Sequence, residues 1–408
     1  MTSLHKPQMH LLINALAASA GSGLTYVRNV VGHFAACDGI KTTFLLRPGL
    51  RDELADLPNV CYLPCQAPSG AARRFCYEQR VLPQLIRANE ATVLISTGNF
   101  ALRHSPVPQI LLSGNSLYTS ADFYRDLRKR GDYQLWLDTR IKGMFARKSV
   151  QWADTTVAPS VAFAQQLRNW AGGNVVAVPH GFDRDVFFGD DSPLSPAIQN
   201  QLSEAGDSLR LLFVSHYNYY RNFETLFRAL PLLRQRLNGR KAKLLLTCTL
   251  RSEANPGSFQ AGPAATLVRE LGLEADVVEL GAVPYRQLHH LYRACDIYAT
   301  AAYAESFAHP LVEAMASGLP VVASDLAVHR EVCGDAARYF ARFSPEDLAS
   351  SIAAIAASSE QARGMAQRGL QRSRDFSWSR HVTELITLAE SLQGPASNHN
   401  EAHIADIC

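Results

Sequence analysis

The chain has 408 residues, too many for one ordinary hydrophobic core, so two domains are expected. Hydrophobic residues make up 47% and charged residues 19%, a soluble globular balance, and no apolar run approaches the roughly 18–20 residues that span a bilayer. The net charge of +3 hides an imbalance: residues 1–185 hold 20 Lys and Arg against 13 Asp and Glu, whereas residues 186–408 hold 20 against 24. A basic first half suits an anionic partner or a membrane surface. Eight cysteines are scattered without paired spacing, so neither a disulfide framework nor a metal site is expected and a reducing, cytoplasmic location follows.

The stretch 9–18 lacks a basic flank of any strength and reads as the first buried strand, not a signal-peptide core. It runs into Gly21-Ser22-Gly23, a turn that lets backbone N–H groups approach a phosphate or sugar, and then a helix over 27–37. Strands follow at 42–46, 60–63, 92–97 and 109–113, with a helix at 73–87; this alternation is the doubly wound α/β pattern. Residues 121–153 form a basic amphipathic helix or helix pair in which Trp136, Leu137, Ile141, Met144 and Phe145 interleave with eight Lys and Arg. Its readings are a solvated face over an ordinary core stripe, or a docking surface for anionic lipid headgroups or a pyrophosphate-bearing acceptor. Nucleic acid fits less well, because aromatic base-stacking platforms are absent.

A strand at 155–160, a helix at 161–170 and a strand at 175–179 complete the first half. Asp183 and Asp185 read as polar turn residues, not metal ligands. The run 189–207, rich in Asp, Ser, Pro and Gly, reads as the interdomain linker. The second half repeats the alternation, with strands at 209–215, 243–248, 277–280, 297–300, 321–323 and 338–340 and a short turn at 329–332. Closing helices follow at 345–357, 360–372 and 378–392. The expected organisation is two Rossmann-like α/β domains, 1–188 and 208–375, joined by a linker (189–207) and followed by a closing helix (376–392) and a polar tail (393–408).

The most informative stretch is 304–324. Glu305 follows a strand's C-terminal end, Pro310 suits the first turn of a helix, Glu313 lies within that helix, and Gly318-Leu319-Pro320 returns the chain to the sheet. Two carboxylates flanking a helix N-terminus could hold a sugar, a phosphate and a ribose together.

These residues, with Pro179-His180-Gly181-Phe182-Asp183, Val278–Val283 and Glu331-Val332-Cys333-Gly334-Asp335, resemble the family-four retaining glycosyltransferases of GT-B fold. The likeness runs nearly continuously from about 175 to 390; in the first half it rests on the Gly-rich turn and Ala158-Pro159-Ser160. It implies two doubly wound domains facing a cleft, with the segment around Phe376-Ser377-Trp378 crossing back onto the first. It also implies that Glu305 contacts the transferred sugar, that backbone amides of Phe307, Ala308, His309, Pro310 and Leu311 face sugar and phosphates, and that Glu313 accepts hydrogen bonds from the ribose hydroxyls. Gly23 would lie on the donor side. The family's Arg and Lys, five apart, correspond here to His216 and Arg221, and its first-domain His to Gly114-Asn115-Ser116, leaving Asn115 as the acceptor-side candidate. Arg221 brings permanent charge, whereas His216 is only fractionally charged near neutrality.

The function so implied is retaining, metal-independent transfer of a hexosyl unit from a nucleotide diphosphate sugar to a saccharide or lipid-linked acceptor. Cell-envelope or exopolysaccharide synthesis fits, with peripheral contact at the inner face of the plasma membrane. The rivals are a sugar-nucleotide epimerase of the same architecture and a non-catalytic sugar-nucleotide-binding protein. A nicotinamide oxidoreductase lacks its third glycine at Tyr26.

Overall fold

A computed structural model describes residues 9–18, 22–251 and 259–393. Within them, thirteen strands form two parallel sheets. The first sheet holds β1 (Met9–Asn14), β2 (Ile40–Leu46), β3 (Val60–Pro64), β4 (Val93–Ser96), β5 (Gln109–Leu112), β6 (Thr155–Ala158) and β7 (Val175–Ala177), in the order β3-β2-β1-β4-β5-β6-β7. The second holds β8 (Leu209–Phe213), β9 (Ala242–Leu246), β10 (Val277–Glu279), β11 (Ile297–Thr300), β12 (Val321–Ser324) and β13 (Ala337–Phe340), in the order β10-β9-β8-β11-β12-β13. Helices cover both faces, so central strands such as Leu11-Leu12-Ile13 and Val321-Val322-Ala323 are unbroken apolar runs with every side chain buried. This is the two-domain GT-B architecture.

Strand order reverses beside β1 in the first sheet and beside β8 in the second. The crevice for a ligand in a doubly wound sheet lies outside the strand C-termini at such a switch point. Here that means the loops after β1 and β4, and the loops after β8 and β11.

Three sequence expectations are corrected. The run 189–207 is not all linker: Pro196–Glu204 is a helix, capped by Ser195 accepting from the Ile198 N–H, with Ile198 and Leu202 buried one turn apart. The short turn at 329–332 is part of the helix Ala327–Cys333, which buries Val328, His329 and Val332.

The third concerns the basic section, a helix pair. Its first helix, Ala121–Arg130, is no free lipid-facing surface. Phe123 and Leu127 are fully buried in the second domain's core beside Leu209, Phe213 and Phe223. Burial of two such side chains is worth about 1.5–3 kcal/mol each. Arg130 reaches Asp126 at 3.0 Å and Glu224 at 2.8 Å and stacks 4.2 Å over the Tyr219 ring, while the Tyr303 hydroxyl donates to Asp126 at 2.7 Å. Arg130 thus serves an interdomain brace.

Two more contacts join the domains. The Ser160 hydroxyl donates to the Ser306 carbonyl at 2.7 Å, and Glu331 accepts from the Val161 and Ala162 N–H groups, both at 2.7 Å. The crossover helix Trp378–Gln393 buries Trp378, Val382, Leu385, Ile386 and Ala389 in the first domain's core. The polar tail from 394 and Gly21 of the first turn lie outside the described residues. No helix among the described residues is long and apolar enough to cross a membrane.

Candidate active site

A cavity of about 550 Å³ lies where the two switch points face each other, lined from both domains and by His381 of the crossover helix. The second domain's wall follows from its central strands. After β8 the chain turns through Tyr219–Arg221 and Asn222 in the left-handed conformation, φ 56°. Asn222 donates from Nδ2 to the Ala301 carbonyl at 3.1 Å, and the Tyr303 N–H donates to the Tyr220 carbonyl at 2.9 Å. The loop after β8 is thereby tied to the loop after β11. Arg221 and Glu305 meet in a direct ion pair, with side chains 19% and 11% exposed. They share one wall of the cavity, in direct contact.

Ala308 precedes the helix His309–Ala316 with φ 70° and ψ 64°, a left-handed conformation that side chains other than glycine's adopt at a cost of about 1–2 kcal/mol. The helix N-terminus that follows lies at the cavity, and its dipole favours negative charge. Pro310 has no N–H, and the amide of Leu311 donates to the Ala308 carbonyl at 3.0 Å. Phe307, Ala308, His309 and Pro310 line the cavity; Leu311 is in the core.

Glu313 lies behind this wall, 4% exposed, accepting from the Tyr292 hydroxyl at 2.9 Å. Burial pushes its carboxyl up to about 7, against the opposing hydrogen bond from Tyr292. A folded-state pKa above the unfolded value of 4.5 means the folded protein holds the extra proton. The stabilising contribution is therefore complete below about 4.5 and lost as pH rises through about 7. Glu313→Gln is expected to flatten this fall, measured as the urea midpoint against pH; an unchanged slope would show that Glu313 does not titrate there. His216 is exposed, its carbonyl accepting from Ser215 Oγ at 2.7 Å and Asn218 Nδ2 at 3.3 Å, and it does not line the cavity.

On the first domain's side, Gly23 lines the cavity, and a Cβ there would sit 3.2 Å from the Ala18 Cα. Asn115 lines it too, but its Oδ1 caps the turn Ser116–Tyr118 by accepting from the Leu117 N–H at 3.1 Å. Asn99, in the left-handed conformation with φ 63°, accepts from the Gly114 and Asn115 N–H groups at 2.9 and 3.1 Å and so joins the loops after β4 and β5.

Sequence reasoning did not place two cations at the cavity, nor bring three histidines together. Arg74, on the helix Ala71–Ala88, lines the cavity and pairs at 3.2 Å with Glu78, whose carboxyl burial raises to about 7. Its signal was the Arg-x3-Glu spacing that places both on one helix face. Lys142 lines the cavity from the helix Tyr133–Trp152 and pairs with Asp138 at 2.5 Å. His180, His309 and His381 converge from three distant segments, with ring centroids 5.2 and 5.5 Å from that of His180. Burial pushes His309 and His381 down to about 4 and His180 well below its ordinary value, so all three are neutral at pH 7. The Pro179 carbonyl 2.9 Å from His381 Nδ1 can only accept, so Nδ1 carries the proton and Nε2 accepts from the Tyr26 hydroxyl at 3.0 Å.

Residues 195–372 match the family model described as glycosyl transferases group 1. That match spans less than half of the chain. D-inositol 3-phosphate glycosyltransferase from Corynebacterium aurimucosum is 28% identical over 219 residues, 52% of this chain and 50% of the relative. Phosphatidyl-myo-inositol mannosyltransferase from Mycolicibacterium smegmatis is 28% identical over 242 residues, 57% of each. The chain spans about half the length of the curated relatives it matches. Sucrose-phosphate synthase from Thermosynechococcus elongatus superposes with a TM-score of 0.74 at 18% identity, over 94% of this chain and 99% of that one. Anabaena HepE, solved with UDP and glucose, superposes with a TM-score of 0.66 at 17% identity, over 94% and 100%. The group 1 match covers both loops that carry Arg221 and Glu305.

Proposed function

We propose that the chain is a retaining glycosyltransferase that moves a hexosyl unit from a nucleotide diphosphate sugar to a saccharide or lipid-linked acceptor. The observation that carries this reading is the Arg221–Glu305 pair beside a helix N-terminus, at a cavity shared by two switch points. The acceptor hydroxyl oxygen bonds to the anomeric carbon as the bond from that carbon to the phosphate oxygen breaks. The electron pair leaves with the nucleoside diphosphate, and the hydroxyl proton passes to its phosphate oxygen. Arg221 and the amides of Phe307, Ala308 and His309 stabilise the charge growing on that phosphate, which is the role a metal would otherwise fill. Glu305 holds the sugar hydroxyls; for Glu313 to hold the ribose, its carboxylate must exchange the Tyr292 hydroxyl for the ribose hydroxyls and the wall in front of it must open.

The names of the curated relatives support an acceptor bearing phosphate, and Arg74 and Lys142 put two cations at the acceptor end of the cavity. Synthesis of a cell-envelope or exopolysaccharide component is the proposed setting. The test is release of nucleoside diphosphate from UDP-, GDP- and ADP-sugars with candidate acceptors, with and without a chelator, and the product anomer read by NMR. Acceptor-dependent release that resists the chelator and gives the donor's anomer is expected. An inverted product or loss of activity on chelation overturns the corresponding part of the proposal, and no release with any donor overturns the whole.

A further inference from the structure

The helix Tyr133–Trp152 packs Leu135, Trp136 and Trp152 against the cores but turns an apolar stripe outward. The side chains it buries are Thr139, Gly143, Ala146, Ser149 and Val150, four of them small or polar. The side chains it exposes include Tyr133 at 65%, Leu137 at 54%, Met144 at 63%, Ile141 at 44% and Phe145 at 41%. These are five of the ten large apolar side chains exposed among the described residues, so the exposure is concentrated, not the scatter usual on a soluble surface. At 3.6 residues per turn all five fall within an arc of about 120°. An ordinary surface helix turns such a stripe toward its own core.

Charge says what covers it. Arg140, Arg147 and Lys148 are exposed on the same face, and Arg147 and Lys148 make no ion pair among the described residues. Arg140 stacks 5.5 Å over the rings of Tyr124 and Trp136, which leaves its charge uncompensated. The helix's one carboxylate, Asp138, is paired with Lys142. A second copy of the chain is a poor occupant, because a two-fold contact sets this cationic face against itself. An apolar stripe flanked by unpaired cations fits the headgroup boundary of an anionic bilayer, where the stripe enters the acyl edge and the cations meet lipid phosphates.

We propose that the outward face of the helix Tyr133–Trp152 docks on an anionic phospholipid bilayer. Gly143 and Lys142 on the same helix face inward, against Tyr118 and into the cavity, so docking brings the acceptor end of the cavity close to the headgroups. The docking itself does not depend on the transferase reading, and binding is measured without turnover.

The test is co-sedimentation of the full chain with vesicles of phosphatidylcholine alone and of phosphatidylcholine mixed equally with phosphatidylglycerol. Binding is expected to the mixed vesicles only and to weaken with salt. The variant Leu137→Gln/Ile141→Gln/Met144→Gln is expected to bind at least about tenfold more weakly. Arg140→Gln/Arg147→Gln/Lys148→Gln is expected to lose on the order of a hundredfold. All six positions are exposed, so both variants should keep the wild-type circular dichroism and unfolding midpoint. Failure of the wild-type chain to sediment with the mixed vesicles, or undiminished binding by the apolar variant, overturns the proposal. So does a wild-type dimer in velocity sedimentation that the apolar variant dissolves while vesicle binding is absent.

Discussion

Replacing Arg221 with alanine is expected to lower kcat for transfer by a factor of about a thousand while the fold survives. The two halves of that expectation have different causes. Removing one member of a buried ion pair commonly costs roughly 3–5 kcal/mol, because the partner is left charged and dry. Glu305, however, lines an open cavity of about 550 Å³, so water can replace the guanidinium and the stability loss should stay under about 2 kcal/mol. Catalysis has no such substitute. The leaving phosphate gains charge only as the sugar bond breaks, and removal of one preorganised donor from such a site costs about a hundred- to a thousandfold. Loss should therefore appear in kcat and not in the donor KM. Arg221→Lys should recover part of the rate, since it keeps the charge and loses the planar fork. Glu305→Ala is expected to abolish transfer for a different reason, loss of the sugar's acceptor and release of Arg221 from its position. Rates near wild type in either alanine variant, with the thermal midpoint preserved, would falsify the assignment.

The direct Arg221–Glu305 contact shows what could and could not be read from the chain. Both loops were legible, because parallel strands buried on both faces are written as short apolar runs, and a ligand site follows strand ends. The 84-residue separation between the two residues closes only because β8 and β11 are hydrogen-bonded neighbours, which local spacing does not encode. The same limit hid the partner of Arg130, since Glu224 lies 94 residues away, and a basic helix with an acidic partner elsewhere looks like a basic surface. Phe123 and Leu127, four apart, were the signal that Ala121–Arg130 is buried. In 196–204 polar composition masked a correctly capped helix: Ser195, Pro196 and the buried pair Ile198 and Leu202 were all present. His180, His309 and His381 carry no mutual spacing at all, and only the crossover helix brings the third to the first two.

That crossover gives the second large expected effect. Gly181 is not glycine for its backbone angles, since it is absent from the positive-φ positions. It is glycine because a Cβ would overlap the Trp378 backbone nitrogen and lie 2.5 Å from the Ser377 carbonyl carbon. Both are backbone atoms, so no rotamer change relieves the clash. Gly181→Val must instead lift the segment Phe376–Trp378. That breaks the bond from the Phe182 N–H to the Phe376 carbonyl (3.4 Å) and the packing of the Trp378 ring, 5.3 Å from His180 and 5.7 Å from Tyr26. It also strips His381 of the Pro179 carbonyl and the Tyr26 hydroxyl, leaving buried polar groups unpaired. Overpacking alone costs typically 1–3 kcal/mol, and the lost hydrogen bonds add to it, so a loss of about 3 kcal/mol or more is expected. Gly49→Ala is the control, because its added Cβ meets nothing within 4 Å, and it should stay within about 0.5 kcal/mol of wild type. The measurement is the urea midpoint, with limited proteolysis reporting whether cleavage appears between Phe376 and His381. Since His381 lines the cavity, nucleoside diphosphate release should fall together with the midpoint. A Gly181→Val chain as stable and protease-resistant as wild type would mean that the crossover helix does not dock as described. The cavity would then lack the wall that holds the histidine group.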